Sequence, residues 1–202
     1  MSGKGFVSTS RNRSGGFTAK RIVFDALMVA VFTILSAWVV VRFGNAIKIT
    51  FDSIVLLLVA MMFGPVDAFI VGLLGEFLAQ LLGPYGLEAT TVIWIIPPAV
   101  RGLLFGLGVK LFPENMTLQK IWVEKKPYVY FAVVIVVSIV NSCLNTMANF
   151  VSSKIQGWYE YHVIFGVFWL RLGTGLLTNI VIAIVIIPVL VAIKKSKLVP
   201  LR

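Results

Sequence analysis

The sequence predicts an all-α, polytopic membrane protein, a bundle of six transmembrane helices. Of its 202 residues, 59% are hydrophobic and 13% are charged, whereas soluble domains are nearer a quarter charged. The mean hydropathy is +0.98, and long apolar runs recur along the chain. The net charge of +10 comes from residues that flank these runs. This pattern predicts the lipid bilayer as a partner and excludes a nucleic-acid function.

Six apolar runs define the predicted spans. They cover residues 21–43, 51–63, 67–82, 91–112, 128–152 and 163–193. The second run is short for a helix that rises about 1.5 Å per residue, so it either begins in the preceding loop or is sheltered by its neighbours. Residues 1–20 form a predicted flexible, basic cytoplasmic tail, residues 21–193 one transmembrane domain, and residues 194–202 a basic cytoplasmic tail.

The distribution of lysine and arginine predicts the orientation. With six spans, one side of the membrane receives most of the basic residues: Lys4, Arg11, Arg13, Lys20, Arg21, Lys110, Lys120, Lys125, Lys126, Lys194, Lys195, Lys197 and Arg202. The opposite side receives only Arg42, Lys48 and Lys154. By the positive-inside rule, the protein is a multi-pass protein of the cell membrane with both termini in the cytoplasm.

The sequence lacks the motifs of most catalytic chemistry. It contains no G-x-x-x-x-G-K-[ST] loop for ATP. Its single histidine, His162, falls in a predicted outer loop, and its single cysteine, Cys143, falls inside an apolar run. We therefore predict no catalytic residue, no metal site and no cofactor.

Polar residues within the spans are the candidate binding residues, because an arginine at bilayer depth costs about 2.5 to 3.5 kcal/mol unless it faces a cavity or a partner. Arg101 lies roughly 15 Å and Arg171 roughly 12 Å below the outer surface at 1.5 Å per residue. The other candidates share the outer half of the membrane or lie near its middle: Glu76, Gln80, Asn141 and Asn145. Glu76 and Gln80 are four residues apart, as are Asn141 and Asn145, so each pair shares a helix face.

Two interpretations of these residues remain open. In the first, they join helices to one another, with Arg101 or Arg171 paired with Glu76 and the asparagines bonded between helices. In the second, they line a ligand pocket. Two arginines facing one carboxylate would leave a surplus of positive charge, which favours an anionic ligand. Trp94 and Trp169 either line this pocket or belong to the interfacial aromatic belt.

Span four contains two adjacent prolines in the stretch EATTVIWIIPPAVRGLLFG. Pro97 and Pro98 each remove a backbone donor, so we expect the helix to open beside a pocket into which Arg101 points. Small residues four apart, Ala68 with Gly72 and Gly102 with Gly106, predict closely packed helices.

The chain resembles the substrate-binding S components of energy-coupling factor (ECF) transporters for vitamins over roughly residues 20–195. The resemblance rests on six spans in about 200 residues, a basic N-terminal tail, Ala26-x-x-x-Ala30 in FDALMVAVF, the segment AMMFGPVDAFIVGLLGEFLAQLLGP and the segment IIPPAVRGLLFG. It implies that Ala26 and Ala30 dock a transmembrane coupling subunit. It also implies that two partner ATPases drive release inward, and that residues 44–50, 84–90 and 154–162 act as an outer gate.

The substrate is less defined. The pocket patterns of the thiamine and riboflavin members are not recognised in this sequence. An arginine pair with asparagines favours pantothenate, then folate, whereas the aromatic residues suit pyridoxine or hydroxymethylpyrimidine. Two other classes of function stay open: a small membrane enzyme acting on lipid or peptide, and a structural scaffold with Arg101 and Glu76 as a buried pair.

Overall fold

The computed structural model describes residues 19–43, 47–83, 86–110 and 127–195. Its elements in chain order are α1 (Ala19–Ala37), β1 (Val40–Phe43), β2 (Ile47–Thr50), α2 (Ser53–Met62), α3 (Pro65–Leu82), α4 (Thr91–Lys110), α5 (Pro127–Gln156), α6 (Tyr161–Ile164) and α7 (Phe168–Lys195). Most of both predicted tails, the connection 111–126 and parts of two predicted gate loops, 44–46 and 84–85, lie outside the described residues.

The helices agree with an all-α polytopic membrane protein. In the described part of the chain, four are long and apolar enough to cross a membrane: Pro65–Leu82, Thr91–Lys110, Tyr128–Gln156 and Tyr161–Val189. They correspond to predicted spans three to six. Span one is the helix α1, which carries Lys20, Arg21 and Asp25, and span two is the ten-residue α2. A count of six membrane spans therefore stays a prediction.

A two-stranded hairpin replaces the end of predicted span one. Helix α1 stops at Ala37, and β1 pairs with β2 in antiparallel register, with Val40 opposite Thr50 and Phe43 opposite Ile47. The run of β-branched residues at 39–41 explains the change, because such side chains favour an extended backbone over a helix. The prediction of a helix through residue 43 was wrong.

Helix α2 is sheltered by its neighbours, which confirms one of the two expectations for the short second run. Leu56 and Val59 are fully buried, and they join a core that includes Phe32 of α1, Phe105 of α4 and Ile186 of α7. A helix of ten residues is about 15 Å long and cannot cross the hydrocarbon alone. Most of its residues are buried against the other helices, so α2 lies inside the bundle from its first turn.

The predicted close packing of small residues is confirmed between α3 and α4. A Cβ added at Gly72 would lie 2.7 Å from the Pro98 carbonyl oxygen. A Cβ at Gly102 would collide with the Ala68 carbonyl, and one at Gly106 with the backbone of Pro65. The two helices therefore meet backbone to backbone along three turns, which fixes the position of Arg101 relative to α3.

Helix α4 continues through Pro97 and Pro98 as one helix from Thr91 to Lys110. Both prolines are buried. The expectation that the helix opens at this point was wrong. Each proline removes only its own backbone donor, and packing against Gly72 of α3 holds the segment in place.

Candidate functional site

A cavity of about 800 Å³ lies between the helices at one end of the bundle. Its volume is within the range of small-molecule sites, about 300 to 1,000 Å³. Most of the lining residues carry amide, hydroxyl or charged side chains. The lining residues are Ser36, Ala37, Ile49, Thr50, Asp52, Ser53, Glu76, Ala79, Gln80, Gly83, Glu88, Trp94, Pro98, Arg101, Asn141, Ser142, Asn145, Asn149, Ser152, Gln156, Trp158, Glu160, Val163, Arg171, Thr174, Gly175, Thr178 and Asn179.

The exposure of the lining residues distinguishes a floor from a mouth. The floor includes the buried polar residues Ser36, Asp52, Glu76, Arg101, Ser142 and Asn179. The mouth consists of the exposed residues Glu88, Gln156, Trp158 and Glu160. Glu88 lies in the connection before α4, Gln156 is the last residue of α5, and Trp158 and Glu160 lie in the connection that follows it. Polar groups therefore continue from solvent down to the centre of the bundle.

Arg101 pairs with Asp52 and not with Glu76. Its Nη2 donates to Asp52 Oδ2 at 2.7 Å, and both side chains are buried. Thr50 Oγ1 donates to Asp52 Oδ1 at 2.8 Å, which links the end of β2 to the same carboxylate. Sequence reasoning missed Asp52, because it treated residue 52 as part of a membrane span and did not expect a hairpin to bring it to the depth of Arg101.

Glu76 accepts hydrogen bonds from neutral donors on two helices. Ser36 Oγ of α1 donates to Oε2 at 2.8 Å, and Gln80 Nε2 donates to Oε1 at 3.0 Å. The second bond confirms that Glu76 and Gln80 share a face of α3. Glu76 is 5% exposed, so these donors compensate much of the cost of burying its carboxylate.

The asparagines of α5 bond along their own helix. Asn145 Nδ2 donates to the Asn141 carbonyl at 2.9 Å, and Asn149 Nδ2 donates to the Asn145 carbonyl at 3.1 Å. These bonds do not join helices, so they do not fit the interpretation in which the asparagine row links one helix to another. Since the side-chain nitrogens are used within α5, the side-chain oxygens remain as hydrogen-bond acceptors on the cavity side.

Three buried atoms of the lining have no hydrogen-bond partner among the described residues. They are Arg101 Nε, a donor, and the acceptors Asn141 Oδ1 and Asn179 Oδ1. A buried polar atom left without a partner costs about 1 to 3 kcal/mol, so such atoms in a cavity wall indicate a ligand or water that completes them. Together they offer one donor and two acceptors to an occupant.

Helix α7 presents one polar face to the cavity. Arg171, Thr174, Gly175, Thr178 and Asn179 all line it, at the spacing of three, four, seven and eight residues that places side chains on one face. Sequence reasoning missed Asn179, although this spacing from Arg171 was a usable signal. Arg171 is half-buried, and its Nη1 donates to the Ile164 carbonyl at 3.4 Å.

The two predicted tryptophans have different positions. Trp94 is half-buried in the wall beside Pro98. Trp169 is 75% exposed and is not part of the lining. It lies two residues before Arg171 on α7, and side chains at that spacing point to different sides of a helix. The structure therefore brings together Glu76, Gln80, Trp94, Arg101, Asn141, Asn145 and Arg171, but not Trp169.

The charge of the lining differs from the sequence-based expectation. Four residues with a carboxylate, Asp52, Glu76, Glu88 and Glu160, line the cavity together with two arginines, Arg101 and Arg171. The prediction of a surplus of positive charge was wrong. Asp52 neutralises Arg101 directly, and the exposed Glu88 and Glu160 make the mouth acidic.

Ala26 and Ala30 lie away from the cavity on the outer face of α1. Both are exposed, and large apolar side chains beside them are exposed too, including Val23 at 69% and Leu27 at 56%. No residue of this face lines the cavity. The face is therefore open to lipid or to another membrane protein.

Fold and cavity together define a helical, multi-pass membrane protein with a polar internal cavity. The family model described as "ECF-type riboflavin transporter, S component" matches residues 16–195, so the chain belongs to this family. The members of that family are components of transporters. The sequence alone predicted the S components in general and did not indicate the riboflavin members.

Three curated relatives share about a third of their residues with the chain over part of its length. UPF0397 proteins of Lactobacillus johnsonii and Lactobacillus gasseri are 33% and 32% identical over 108 residues, which is 52% of this chain and 56% of each relative. A UPF0397 protein of Leuconostoc citreum is 33% identical over 102 residues, 50% of this chain and 53% of the relative. The matches thus span about half the length of these relatives.

Proposed function

We propose that this protein is the substrate-binding subunit of an ECF-type ABC transporter, which captures a water-soluble vitamin in the cavity and delivers it inward with partner subunits. One observation carries the proposal: a cavity of about 800 Å³ whose wall holds three buried polar atoms without partners among the described residues. Family membership supports the same role. A structural scaffold would not need such atoms, because they destabilise an empty bundle.

The cavity favours a neutral vitamin with a flat ring and several hydroxyl or N–H groups, and riboflavin is the first candidate. Asn141 Oδ1 and Asn179 Oδ1 require donors from the ligand, Arg101 Nε requires an acceptor, and Trp94 offers a ring on which a heterocycle can stack. Carboxylates outnumber arginines in the wall, so an anion would meet a net repulsion. The name of the matched family supports the same candidate.

Pantothenate is the second candidate, and Arg171 is the observation that favours it. Arg171 lines the cavity, and its guanidinium group would pair with the carboxylate of pantothenate. Folate also carries carboxylates, and it would pair one of them with Arg171 in the same way. Pyridoxine and hydroxymethylpyrimidine are neutral rings that could stack on Trp94 as riboflavin would. They are smaller than riboflavin and would fill less of the cavity.

Transport requires partners for energy. The chain has no P-loop motif, so ATP hydrolysis would come from two ATPase subunits, joined to this chain by a transmembrane coupling subunit. We assign docking of that coupling subunit to Ala26 and Ala30, whose small side chains are exposed on α1 and permit close helix approach. The enzyme alternative has no support from the family, which is one of transport components.

The direction of capture follows from the orientation proposed for the cell membrane. If both termini are cytoplasmic, as the distribution of lysine and arginine favours, the mouth at Glu88, Gln156 and Glu160 opens to the outside. The vitamin would then enter from the external medium and reach the floor between α4, α5 and α7.

Mass spectrometry of small molecules extracted from gently purified protein tests the proposal. We expect one vitamin, riboflavin first, in stoichiometric amount from the wild-type chain and much less from Asn179→Leu. Trp169→Ala is the matched control, because Trp169 is outside the lining, and it should retain the ligand. Reproducible absence of any small molecule, followed by no binding of added vitamins, would overturn the proposal.

A further inference from the structure

Four lining side chains of α5 and α7 offer acceptor oxygens to an occupant of the cavity: Asn141, Thr174, Thr178 and Asn179, here called the acceptor cluster. Thr174 Oγ1 donates to the Leu170 carbonyl and Thr178 Oγ1 to the Thr174 carbonyl, each at 2.8 Å. A hydroxyl has a single donor, so both threonines keep only their acceptor lone pairs. Asn141 Oδ1 and Asn179 Oδ1 are buried and have no partner among the described residues. The cluster therefore needs hydrogen-bond donors from an occupant.

A close contact between α4 and α5 defines the depth of this cluster. A Cβ added at Gly108 of α4 would collide with the side chain of Val133 of α5. The two helices run in opposite directions, since α4 begins and α5 ends at the mouth. Arg101 is seven residues before Gly108, and Asn141 is eight residues after Val133. Both therefore lie roughly 10 to 12 Å from this contact on the side of the mouth, at the same level.

A second contact extends this level to α7. A Cβ added at Gly175 would lie 3.4 Å from Ser142 Oγ, and Ser142 follows Asn141 in α5. Asn179 is four residues further along α7, so it lies roughly 6 Å deeper than Gly175. Arg101, Asn141 or its neighbour Ser142, and Asn179 are the lining residues of their helices farthest from the mouth. The acceptor cluster and Arg101 Nε thus form the closed end of the cavity.

Trp94 lies nearer the mouth than this closed end. It is seven residues before Arg101 on α4, which is roughly 10 Å along the helix. Glu76 of α3 is at the level of Trp94, because Gly72 contacts Pro98 and each of the two residues is four positions from that contact in the direction of the mouth. The half-buried ring of Trp94 offers a face on which a flat heterocycle can stack. The cavity therefore has an aromatic level above a hydrogen-bonding level.

The closed end has little to attract an anion. Its guanidinium group, that of Arg101, is paired with the carboxylate of Asp52, and the described lining residues include no lysine. A phosphate ester carries about −1.5 to −2 charges at pH 7 and offers acceptor oxygens, which would face the acceptor cluster. A hydroxyl both donates and accepts, so a chain of hydroxyls can satisfy the cluster and Arg101 Nε together.

We propose that the acceptor cluster binds a hydroxylated chain of the ligand, that the flat ring lies above it at the level of Trp94, and that the cavity therefore takes the free alcohol and excludes its phosphate ester. The inference rests on the proposed function and deepens it, because it assigns the orientation of the ligand and the class of derivative that is rejected.

Three flavins with one common ring test this orientation on the full-length protein in detergent. Riboflavin carries a chain of hydroxyls, lumiflavin has a methyl group in place of the chain, and flavin mononucleotide has a phosphate at the end of the chain. Titration followed by flavin fluorescence gives each Kd. Lumiflavin should bind about tenfold more weakly than riboflavin, because it leaves the acceptor cluster without donors. Flavin mononucleotide should bind about a hundredfold more weakly, because its charge would be buried without a counter-charge.

Variants of the acceptor cluster should affect only the flavin that has the chain. Asn179→Leu and Thr178→Val should each weaken riboflavin binding about tenfold and leave the Kd of lumiflavin within about twofold of the wild-type value. Two variants are used so that the test survives if one of them does not fold. Trp94→Ala should weaken both flavins by a similar factor. Leu177→Ala is the matched control, because Leu177 is next to Thr178, is 66% exposed and is outside the lining.

Two results would overturn the inference while leaving the proposed function intact. One is binding of flavin mononucleotide less than tenfold weaker than that of riboflavin, because the end of the chain would then point to the mouth. The other is an equal loss of riboflavin and lumiflavin binding in the cluster variants, because the ring would then occupy the closed end. If the wild-type protein bound none of the three flavins, the assignment of riboflavin would itself be wrong, and the inference would fail with it.

Discussion

Arg101 Nη2 donates to Asp52 Oδ2 at 2.7 Å, and the two side chains are 7% and 5% exposed. This pair connects the centre of α4 to the start of α2 within the cavity floor. Thr50 extends the connection to β2. The pair occupies one side of the guanidinium and leaves Nε, which has no partner among the described residues, for an occupant of the cavity. The Nη2 group of Arg101 therefore stabilises the fold through Asp52, and its Nε group is the side available for binding. Separate variants can distinguish these two roles.

Breaking the Asp52–Arg101 pair should destabilise the protein strongly. Asp52→Leu leaves a buried guanidinium without its carboxylate, and a cost of about 3 to 5 kcal/mol is expected. Chemical or thermal unfolding in detergent measures it. The double variant Asp52→Leu/Arg101→Leu should recover part of the loss, because no unpaired charge remains. Equal stability of Asp52→Leu and the wild-type protein would contradict the importance of the pair.

Arg101→Lys tests the binding side of the same residue. A lysine keeps a positive charge for Asp52 but has no Nε donor in the guanidinium plane. We expect vitamin affinity to fall by about 1 to 2 kcal/mol, with a much smaller loss of stability than in Asp52→Leu. Calorimetric titration beside an unfolding curve measures both effects. An unchanged affinity would remove Arg101 Nε from the binding site.

Asn179→Leu should weaken vitamin binding without lowering the stability of the empty protein. Asn179 is 5% exposed, and its Oδ1 has no partner among the described residues. Leucine has a similar size and no polar atom to satisfy, so the empty protein should be as stable as the wild type or more stable, by up to about 1 kcal/mol. Vitamin affinity should fall by a similar amount or more. A destabilised variant that still binds normally would contradict this assignment.

Glycine-to-alanine variants test the packing that positions Arg101. Gly102→Ala places a methyl group against the Ala68 carbonyl, and a loss of about 1 to 3 kcal/mol in stability is expected from overpacking. Gly173→Ala is the matched control on α7, because a Cβ there meets nothing within 4 Å. It should be neutral or slightly stabilising, since alanine favours the helix. Unfolding curves that do not differ between the two would rule out close contact at Gly102.

Enlarging the α1 face tests the proposed docking. Ala26→Leu/Ala30→Leu should prevent assembly with the coupling subunit and abolish uptake, while vitamin binding by the isolated chain stays intact. Ala132→Leu, at an exposed position of α5, should affect neither assembly nor uptake. Copurification and transport of labelled vitamin measure the result. Uptake that survives in the double variant would show that docking lies elsewhere.

Helical depth and spacing allowed a large part of the site to be predicted. Counting residues from the span ends placed Glu76, Arg101, Asn141 and Arg171 at similar depth, and all four line the cavity. The same counting could not place Trp169, because depth does not say which side of a helix a residue occupies. Whether these residues hold a ligand stays a prediction.

Asp52 shows why the rest of the site could not be predicted. Its position depends on three features that hydropathy does not reveal: α1 ends at Ala37, a hairpin follows, and α2 begins inside the bundle. Without Asp52, the sequence predicted two arginines facing the single carboxylate of Glu76, and this surplus of positive charge favoured an anionic ligand. The pairing at 2.7 Å removes that argument and moves the leading candidate from pantothenate to riboflavin.

Isothermal titration of the purified wild-type chain with riboflavin and with pantothenate, without ATP or partners, tests the central claim most directly. We expect saturable, one-to-one binding of riboflavin in the submicromolar range or tighter, and binding of pantothenate at least tenfold weaker, a difference of about 1.4 kcal/mol. Tighter binding of pantothenate, or binding of neither vitamin, would contradict the claim that this cavity holds a neutral vitamin.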